Sequence, residues 1–319
     1  DTKDLLWRRA LPASIGGTNM TVWDNVGKMN NKGFEMEINY QKQINQDFGF
    51  SVAYNFSVIK NKMTELNGVD YIGLSSSELH GRNFDQETSR SAVGQPIGSF
   101  FVYEADGLFQ SDAEIQNYKN DRGELLQPNA KPGDIRFKDL NGDGVINADD
   151  KVRLGNSLPE FQFGGNLFLG WKDWDFSLSF QGVGHQNVLF NSAWIQPLKE
   201  QWGAVPSLIL GNYWSQHNTE DQNRNVKYPR LTYTNTTNTY TGSDYWLFNG
   251  AYFRVKNITL GYSLPQKLMD KCFIRGLRIY ATINDLPAIS HYPKGWDPEI
   301  GASSDFISTS FTFGANVKF

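Results

Sequence analysis

Apolar and polar positions alternate along much of this chain. In GFEMEINYQ, residues 33–41, Phe34, Met36, Ile38 and Tyr40 fall on one face of an extended backbone and Glu35, Glu37, Asn39 and Gln41 on the other. In FGFSVAYNFSV, Phe48, Phe50, Val52, Tyr54 and Phe56 oppose Gly49, Ser51, Ala53, Asn55 and Ser57. FQFGGNLFLGW, from Phe161 to Trp171, is a weaker case, and WDFSLSFQG pairs with it as a hairpin across Lys172–Asp175. Ile258, Leu260, Tyr262 and Leu264 share a face, as do Leu277, Ile279, Ala281 and Ile283. The last stretch puts Ile307, Phe311, Phe313, Ala315, Val317 and Phe319 opposite Ser308, Ser310, Thr312, Gly314, Asn316 and Lys318. A period of two predicts half-buried strands, about nine in all. Long polar connections separate them, at roughly 67–96, 111–159 and 188–241. The stretch from Asn187 to Trp214 has some helical periodicity but is broken by Pro197 and Pro206, which predicts a loop carrying one or two short helices.

Alternation alone fits a soluble β-sandwich, with one face buried and one wet. Three features favour an antiparallel transmembrane β-barrel. The apolar faces are dominated by aromatic residues, and pairs such as Tyr245-Trp246 and Tyr252-Phe253 read as girdles at a membrane interface. The opposite faces are small or polar, as a wet lumen requires. The chain ends on Phe319, an aromatic closing an alternating strand, which resembles the insertion signal of bacterial outer-membrane barrels. Connections this long are also unusual in a compact sandwich.

Composition sharpens the choice of strands. The chain contains 22 Phe, 14 Tyr, 9 Trp and 30 Gly, a mixture that favours sheet over helix. No apolar run reaches the roughly 18 residues of a membrane helix, but a membrane strand needs only about 9–11 with alternate ones apolar. A mean hydropathy of −0.49 therefore fits a barrel as well as a soluble protein. A formal charge of −4 without a basic run argues against nucleic acid as a partner. Cys272 is the single cysteine, so no internal disulfide forms.

One segment carries metal-type chemistry. DLNGDGVINADD places Asp139, Asn141 and Asp143 at positions 1, 3 and 5 of a calcium-type loop, with Gly144 at the sharp turn. The Val145 carbonyl falls at position 7, Asn147 at 9 and Asp150 at 12. Ca²⁺ needs hard oxygen ligands that one short segment can wrap around it, and Asp at 12 in place of a bidentate Glu weakens the grip. The alternative is an Asx-rich turn without metal; in either case the role is to stiffen a long loop, and Ile146 anchors it to an apolar surface. The flanks are not amphipathic helices, so this is not a helix–loop–helix sensor. Catalysis has no comparable support. His80, His185, His217 and His291 form no triad, zinc pair or phosphate loop, and WDPE at Trp296–Glu299 reads as a turn and its cap.

Several blocks in fixed order carry a resemblance. They are NKGFEMEINYQ, FSVAYNFSVIKNKMTEL, GQPIGSFFVYEADGLFQ, the run from KPGDIRFKDLNGDGVI to WDFSLSFQG, YPRL at Tyr228–Leu231, GAYFRVKNITLGYSLP, WDPE and FTFGANVKF. Together they resemble the carboxyl-terminal half of a SusC/RagA-type TonB-dependent outer-membrane transporter of Bacteroidetes. The resemblance implies a plugged barrel of about 22 strands, of which this chain, residues 1–319, supplies about nine or ten. It also implies extracellular loops, a SusD-like surface lipoprotein as lid, and import of oligosaccharides or peptides driven by TonB–ExbB–ExbD. Twenty-two strands of about 11 residues need roughly 240 residues before loops and plug are added, so the remaining barrel half and the plug must come from other polypeptide. The competing functions are a secreted, calcium-stabilised β-protein that binds glycans or acts as an adhesin, and a passive porin. Loop aromatics around Trp194, Trp202 and Trp214 are candidates for packing or for ligand contact, and the sequence assigns no ligand-binding residue.

Overall fold

The computed structural model describes residues 1–10, 21–74, 88–189, 207–232, 237–269, 274–300 and 306–319. Three strands open the chain: β1 (Thr2–Ala10), β2 (Thr21–Gln43) and β3 (Phe48–Glu65). A long excursion then holds β4 (Tyr71–Leu74), β5 (Ser89–Ala92), β6 (Ser99–Val102), β7 (Ala105–Leu108), helix α1 (Asp112–Asn117), β8 (Ile135–Phe137) and β9 (Val152–Asn156). Next come the hairpin β10 (Phe161–Trp171) and β11 (Trp174–Gly184). A second excursion contains β12 (Asn187–Leu189), the short helices α2 (Glu220–Asn225) and α3 (Thr237–Tyr240), and β13 (Leu247–Asn249). The chain finishes with β14 (Tyr252–Ser263), helix α4 (Gln266–Met269), β15 (Gly276–Asn284), β16 (Ile289–Ser290) and β17 (Ser310–Lys318).

One antiparallel sheet of nine strands runs in the order β1-β2-β3-β10-β11-β14-β15-β17, with β16 joined to the upper end of β14. Its neighbours are sequential wherever a short turn connects them, and each crossover of an excursion returns the chain beside the strand it left. The register carries single chemistries across the whole sheet. One row reads Tyr40, Val52, Leu167, Leu178, Ile258, Ile283 and Phe311. The adjacent inward-facing row reads Asn39, Ala53, Asn166, Ser179, Asn257, Asn284 and Ser310. Because a slip of one residue would invert a strand's faces, this agreement across seven strands fixes the register.

The apolar face is bare. Phe313 is 82% exposed and Phe319 81%, and Phe34, Ile38, Tyr40, Trp171, Leu260 and Phe311 are also exposed. Among the described residues no second sheet covers it, so the soluble sandwich does not describe this fold. From Phe48 to Val58 on β3, every second side chain is apolar. Those eleven residues span roughly 36 Å along the strand and about 28 Å perpendicular to a bilayer at a tilt near 40°, close to the height of a membrane barrel's apolar band. At the tight-turn end, Phe48, Trp171, Trp174 and Tyr262 meet in one cross-strand row, and the Trp174 and Tyr262 rings lie 4.6 Å apart.

The packed core lies elsewhere, in the excursions beyond the opposite end of the strands. Phe100, Val102, Leu108, Ile135 and Phe137 come from the first excursion, Val188, Leu189, Ile209, Tyr228 and Trp246 from the second, and Tyr292 from the segment after β15. These close into one cluster, the cap. Trp246, 1% exposed, sits at its centre and donates its indole N–H to the Thr239 carbonyl at 3.0 Å. The Tyr245-Trp246 pair is therefore core, not girdle, and Tyr252 is buried as well; of the pairs expected at an interface only Phe253 lies on the sheet's outer face, stacked on Phe163. The excursions are also joined through backbone. Tyr103 N–H donates to the Gly242 carbonyl and Asp244 N–H to the Tyr103 carbonyl, while the Asp244 carboxylate accepts from Ala105 N–H at 2.8 Å. Burial pushes the Asp244 carboxyl up, the Tyr228 hydroxyl up to about 12, and the Tyr245 and Tyr292 hydroxyls up as well.

An ion pair ties the two large excursions together. Arg230 Nε donates to Asp134 Oδ1 at 2.5 Å, Lys131 N–H donates to Asp134 Oδ2, and Arg230 N–H reaches the Gly133 carbonyl. Asp134 is fully buried, which raises its carboxyl above the ordinary value, and the hydrogen bond from Arg230 opposes that rise. A carboxyl with a raised folded-state pKa contributes stability below its unfolded pKa and loses it as pH climbs through the folded one. Replacing Arg230 by Met removes the opposing charge. We expect the cap to lose about 3–5 kcal/mol at neutral pH, with a smaller deficit at acid pH, where Asp134 takes up a proton. Thermal unfolding of parent and variant at both pH values measures this, and a deficit that grows in acid would contradict it. Trp246→Ala should destabilise the cap by a similar ~3–5 kcal/mol through the cavity it leaves. Hydrogen exchange should then rise in residues 100–108 and 135–137 but not in the hairpin of β10 and β11.

Candidate functional site: the polar wall and the acidic loop

The inward face of the sheet is built in tiers. Nearest the tight turns, Arg278 grips Asp175 with both its Nε, at 2.7 Å, and its Nη2, at 2.5 Å. The pair spans β14 because Gly261 stands between its members: a Cβ there would lie 2.4 Å from Arg278 Nη2 and 2.5 Å from Asp175 Oδ1. The Arg278 guanidinium also lies 5.0 Å from the Tyr280 ring centre, and that ring covers Gly314. A two-point Arg–carboxylate fork holds its geometry better than a lysine pair does. Above it lies a hydroxyl tier in which Thr259 and Thr282 share a hydrogen bond of 2.8 Å, with Ser177 and Thr312 in register. Phe168 projects from the same level. Next is an amide tier, where Asn257 donates to Asn284 at 2.8 Å and Asn284 to Ser310 at 3.3 Å.

The uppermost tier is ionic. A bulge in β14 leaves Lys256 without a partner residue on β11, since Asn257 pairs with Ser179 and Val255 with Phe180. Bulges re-aim side chains, and this one brings Lys256 together with Arg254 and Asn257 on the wet side. Lys256 Nζ meets Asp285 at 2.5 Å and Glu299 at 3.3 Å. Arg254, 1% exposed, meets Glu299 at 2.9 Å and also pairs with Asp297. Gln181 donates to Glu299 at 2.8 Å. The WDPE segment is indeed a turn capped by Asp297, whose Oδ1 accepts Glu299 N–H at 3.0 Å. It is also the acidic half of a buried network that clamps the segment after β15 onto the wall. The turn reading missed that half; the clue was two cations, Arg254 and Lys256, close together on one strand.

The calcium-type loop closes on itself. Asp139 accepts Gly142 N–H at 2.8 Å through one oxygen and Gly144 N–H at 2.9 Å through the other. Asn141 accepts Asp143 N–H, Asp143 accepts Val145 N–H, and Asn147 accepts Asp149 N–H. Asp150 is fully buried and accepts from Leu140 at 2.8 Å, Asn141 at 3.3 Å and Asn147 at 2.8 Å. Gly142 and Gly144 both take positive φ, +72° and +84°, as the turn requires. Asn120 holds the loop from outside through the Gly144 carbonyl. Ile146 packs against the cap core, so the expected anchoring holds. Hard oxygen donors suit Ca²⁺, but in this conformation they face the loop's own amides. Among the described residues no three carboxylate, imidazole or thiolate groups converge to hold a metal ion. Beside the loop, a hydrogen bond to Glu104 holds the Lys138 ammonium above its ordinary range.

Trp194, Trp202, His80 and Cys272 lie outside the described residues. Trp214 packs against the cap core with its ring over Gly133, a packing role. Phe319 lies on the exposed apolar face, in line with Phe311 and Phe313.

No family model matches the chain. It is 32% identical over its whole length to TonB-dependent receptor P3 of Formosa agariphila, covering 31% of that protein. It is 28% identical to TonB-dependent receptor SusC of Bacteroides thetaiotaomicron, covering 29%. Among solved structures, the RagAB peptide transporter superposes on 99% of the chain with a TM-score of 0.69 at 21% identity, over 32% of that chain. These are named receptors and transporters, not enzymes. The chain spans about a third of the length of the curated relatives it matches. In sequence over its whole length the chain is similar to TonB-dependent receptors, SusC among them, and in fold its antiparallel β-sheet is similar to part of the RagAB transporter.

Proposed function

We propose that this chain forms a segment of the wall of an active importer in the bacterial outer membrane, taking up oligosaccharides or peptides with energy from TonB–ExbB–ExbD. A SusD/RagB-like surface lipoprotein closes the importer from outside, and other polypeptide supplies the plug and the remaining strands. The observation that carries this reading is the sheet itself: one bare apolar face and one polar face, in register over seven strands, with open edges at β1, which leaves residues 30–43 of β2 unpaired on that side, and at β17. Such edges are untenable in lipid unless further strands complete them. The similarity to SusC and to the RagAB peptide transporter supports the transport class. The polar tiers suit a hydrated path for a polymer rich in hydroxyls or amides, and the cap suits a surface that meets a lid.

The two faces can be told apart in the complete receptor. Phe313→Arg puts a cation into lipid and should cost about 2–4 kcal/mol near the midplane, lowering the yield of heat-modifiable, assembled barrel. Thr312→Arg, one residue away on the wet face, should assemble normally. Uptake of a labelled oligosaccharide or oligopeptide by cells should require both the receptor and TonB. Equal assembly of the two variants, or uptake indifferent to TonB, would count against the reading.

The same reading gives the Asp139–Asp150 loop a structural Ca²⁺, supported by the spacing of its oxygen donors. Asn141 and Asp143 are exposed, and they and Asp139 would each exchange an amide contact for the ion. Asp139→Ala with Asp143→Ala should abolish calcium-dependent protection of the cap against proteolysis while leaving barrel insertion intact. Failure to insert would place the loop's role in the barrel instead.

A further inference from the structure

The apolar band on the outer face of β2 and β3 stops at the cross-strand pair Phe34–Val58, at the end remote from the tight turn. The next two outward-facing pairs are Lys32–Lys60 and Asn30–Lys62. Lys32, Lys60 and Lys62 are all exposed. Among the described residues none of these three meets a carboxylate, although the same hairpin provides one a step further on, where Lys28 pairs with Glu65 at 2.5 Å. Asn30 donates to the Asp1 carboxylate. Glu160, beside Ile59, lies on the inner side, held by Asn156 at 2.6 Å and facing His185 at 3.8 Å. Lysines directly opposite one another on paired strands repel. Lys32 and Lys60 are so placed, with Lys62 diagonal to Lys32, and among the described residues no carboxylate neutralises them.

We propose that Lys32, Lys60 and Lys62 form a binding patch for the phosphate groups of outer-leaflet lipid headgroups. The inference rests on the reading of this sheet as a membrane wall. Short turns mark the periplasmic end of such a wall and long excursions the outer end, and the patch sits at the excursion end. There, one step beyond the last apolar row, the hydrocarbon gives way to headgroups. Lysine stems can lie along apolar surface and raise their ammonium groups to that level. Three cations presented together on a stiff hairpin face the lipid, not the lumen, so an anion that neutralises them must come from the bilayer side. The tight-turn end of the same two strands differs: Lys42 there pairs with Phe50, not with another cation.

The test uses the complete receptor in nanodiscs of phosphatidylcholine doped with lipid A, either bisphosphorylated or dephosphorylated. Two variants are compared with the parent, one carrying Lys32→Gln, Lys60→Gln and Lys62→Gln and the other carrying Arg at the same positions. Native mass spectrometry reads how much lipid A remains bound. The parent and the Arg variant should retain at least about tenfold more bisphosphorylated lipid than the Gln variant. Dephosphorylated lipid should bind all three alike. Equal retention of phosphorylated lipid by parent and Gln variant overturns the proposal. So does full displacement by millimolar inorganic phosphate, which would mark a site for free anions. Heat-modifiable migration of each protein separates the two levels: a parent that never inserts overturns the membrane-wall reading, whereas normal insertion without a lipid difference overturns this inference alone.

Discussion

Everything in this structure depends on the hydrogen bonding of strand backbone to strand backbone where water is absent on one side. A peptide group facing hydrocarbon has no other partner, so each strand needs a neighbour along its full height. In the proposed membrane wall that requirement explains why the register is continuous from β2 to β17 and why the apolar rows are in step. It also explains the division of labour between the two faces. The outer face needs only apolar area, and flat aromatic and branched side chains supply it without packing against protein. The inner face carries the groups that hold position: the Asp175–Arg278 fork, the shared hydroxyl and amide bonds, and the ionic tier around Arg254.

Among the described residues, the protein-like core is built from loops. Residues far apart in the chain, from Phe100 to Tyr292, bury one another above the strands and leave the outer face of the sheet bare. This reverses the usual arrangement, in which loops cover a core made by regular elements. The cap is accordingly dense in side chain-to-backbone bonds, of which Gln127 and Asp150 each make at least two. Those bonds satisfy irregular backbone that no ladder serves.

Strands, their faces and the positions of the excursions were legible in the sequence because each depends on a local rule: period-two alternation, turn chemistry and the length of polar connections. The β10–β11 hairpin is an example, with Lys172 at a φ of +50° between Trp171 and Trp174. The acidic loop was equally legible, since its turns are closed by side chains two to five residues from the amides they accept. What the sequence did not reveal were pairings between segments far apart in the chain, 43 residues for Arg254 with Asp297 and 139 for Ala105 with Asp244. Tyr245-Trp246 looks like a girdle until the excursions fold over it, and WDPE looks like a turn alone until β14 brings Arg254 and Lys256 beneath it.

The sequence by itself determined which side chains share a face, because the alternation of a strand is a property of the backbone at each residue. Only the tertiary structure decided which face meets lipid, which meets water, and where a packed interior forms. Those outcomes depend on what lies opposite, and contacts such as Asp134 with Arg230 or Glu299 with Arg254 arise from chain topology, which no local pattern encodes.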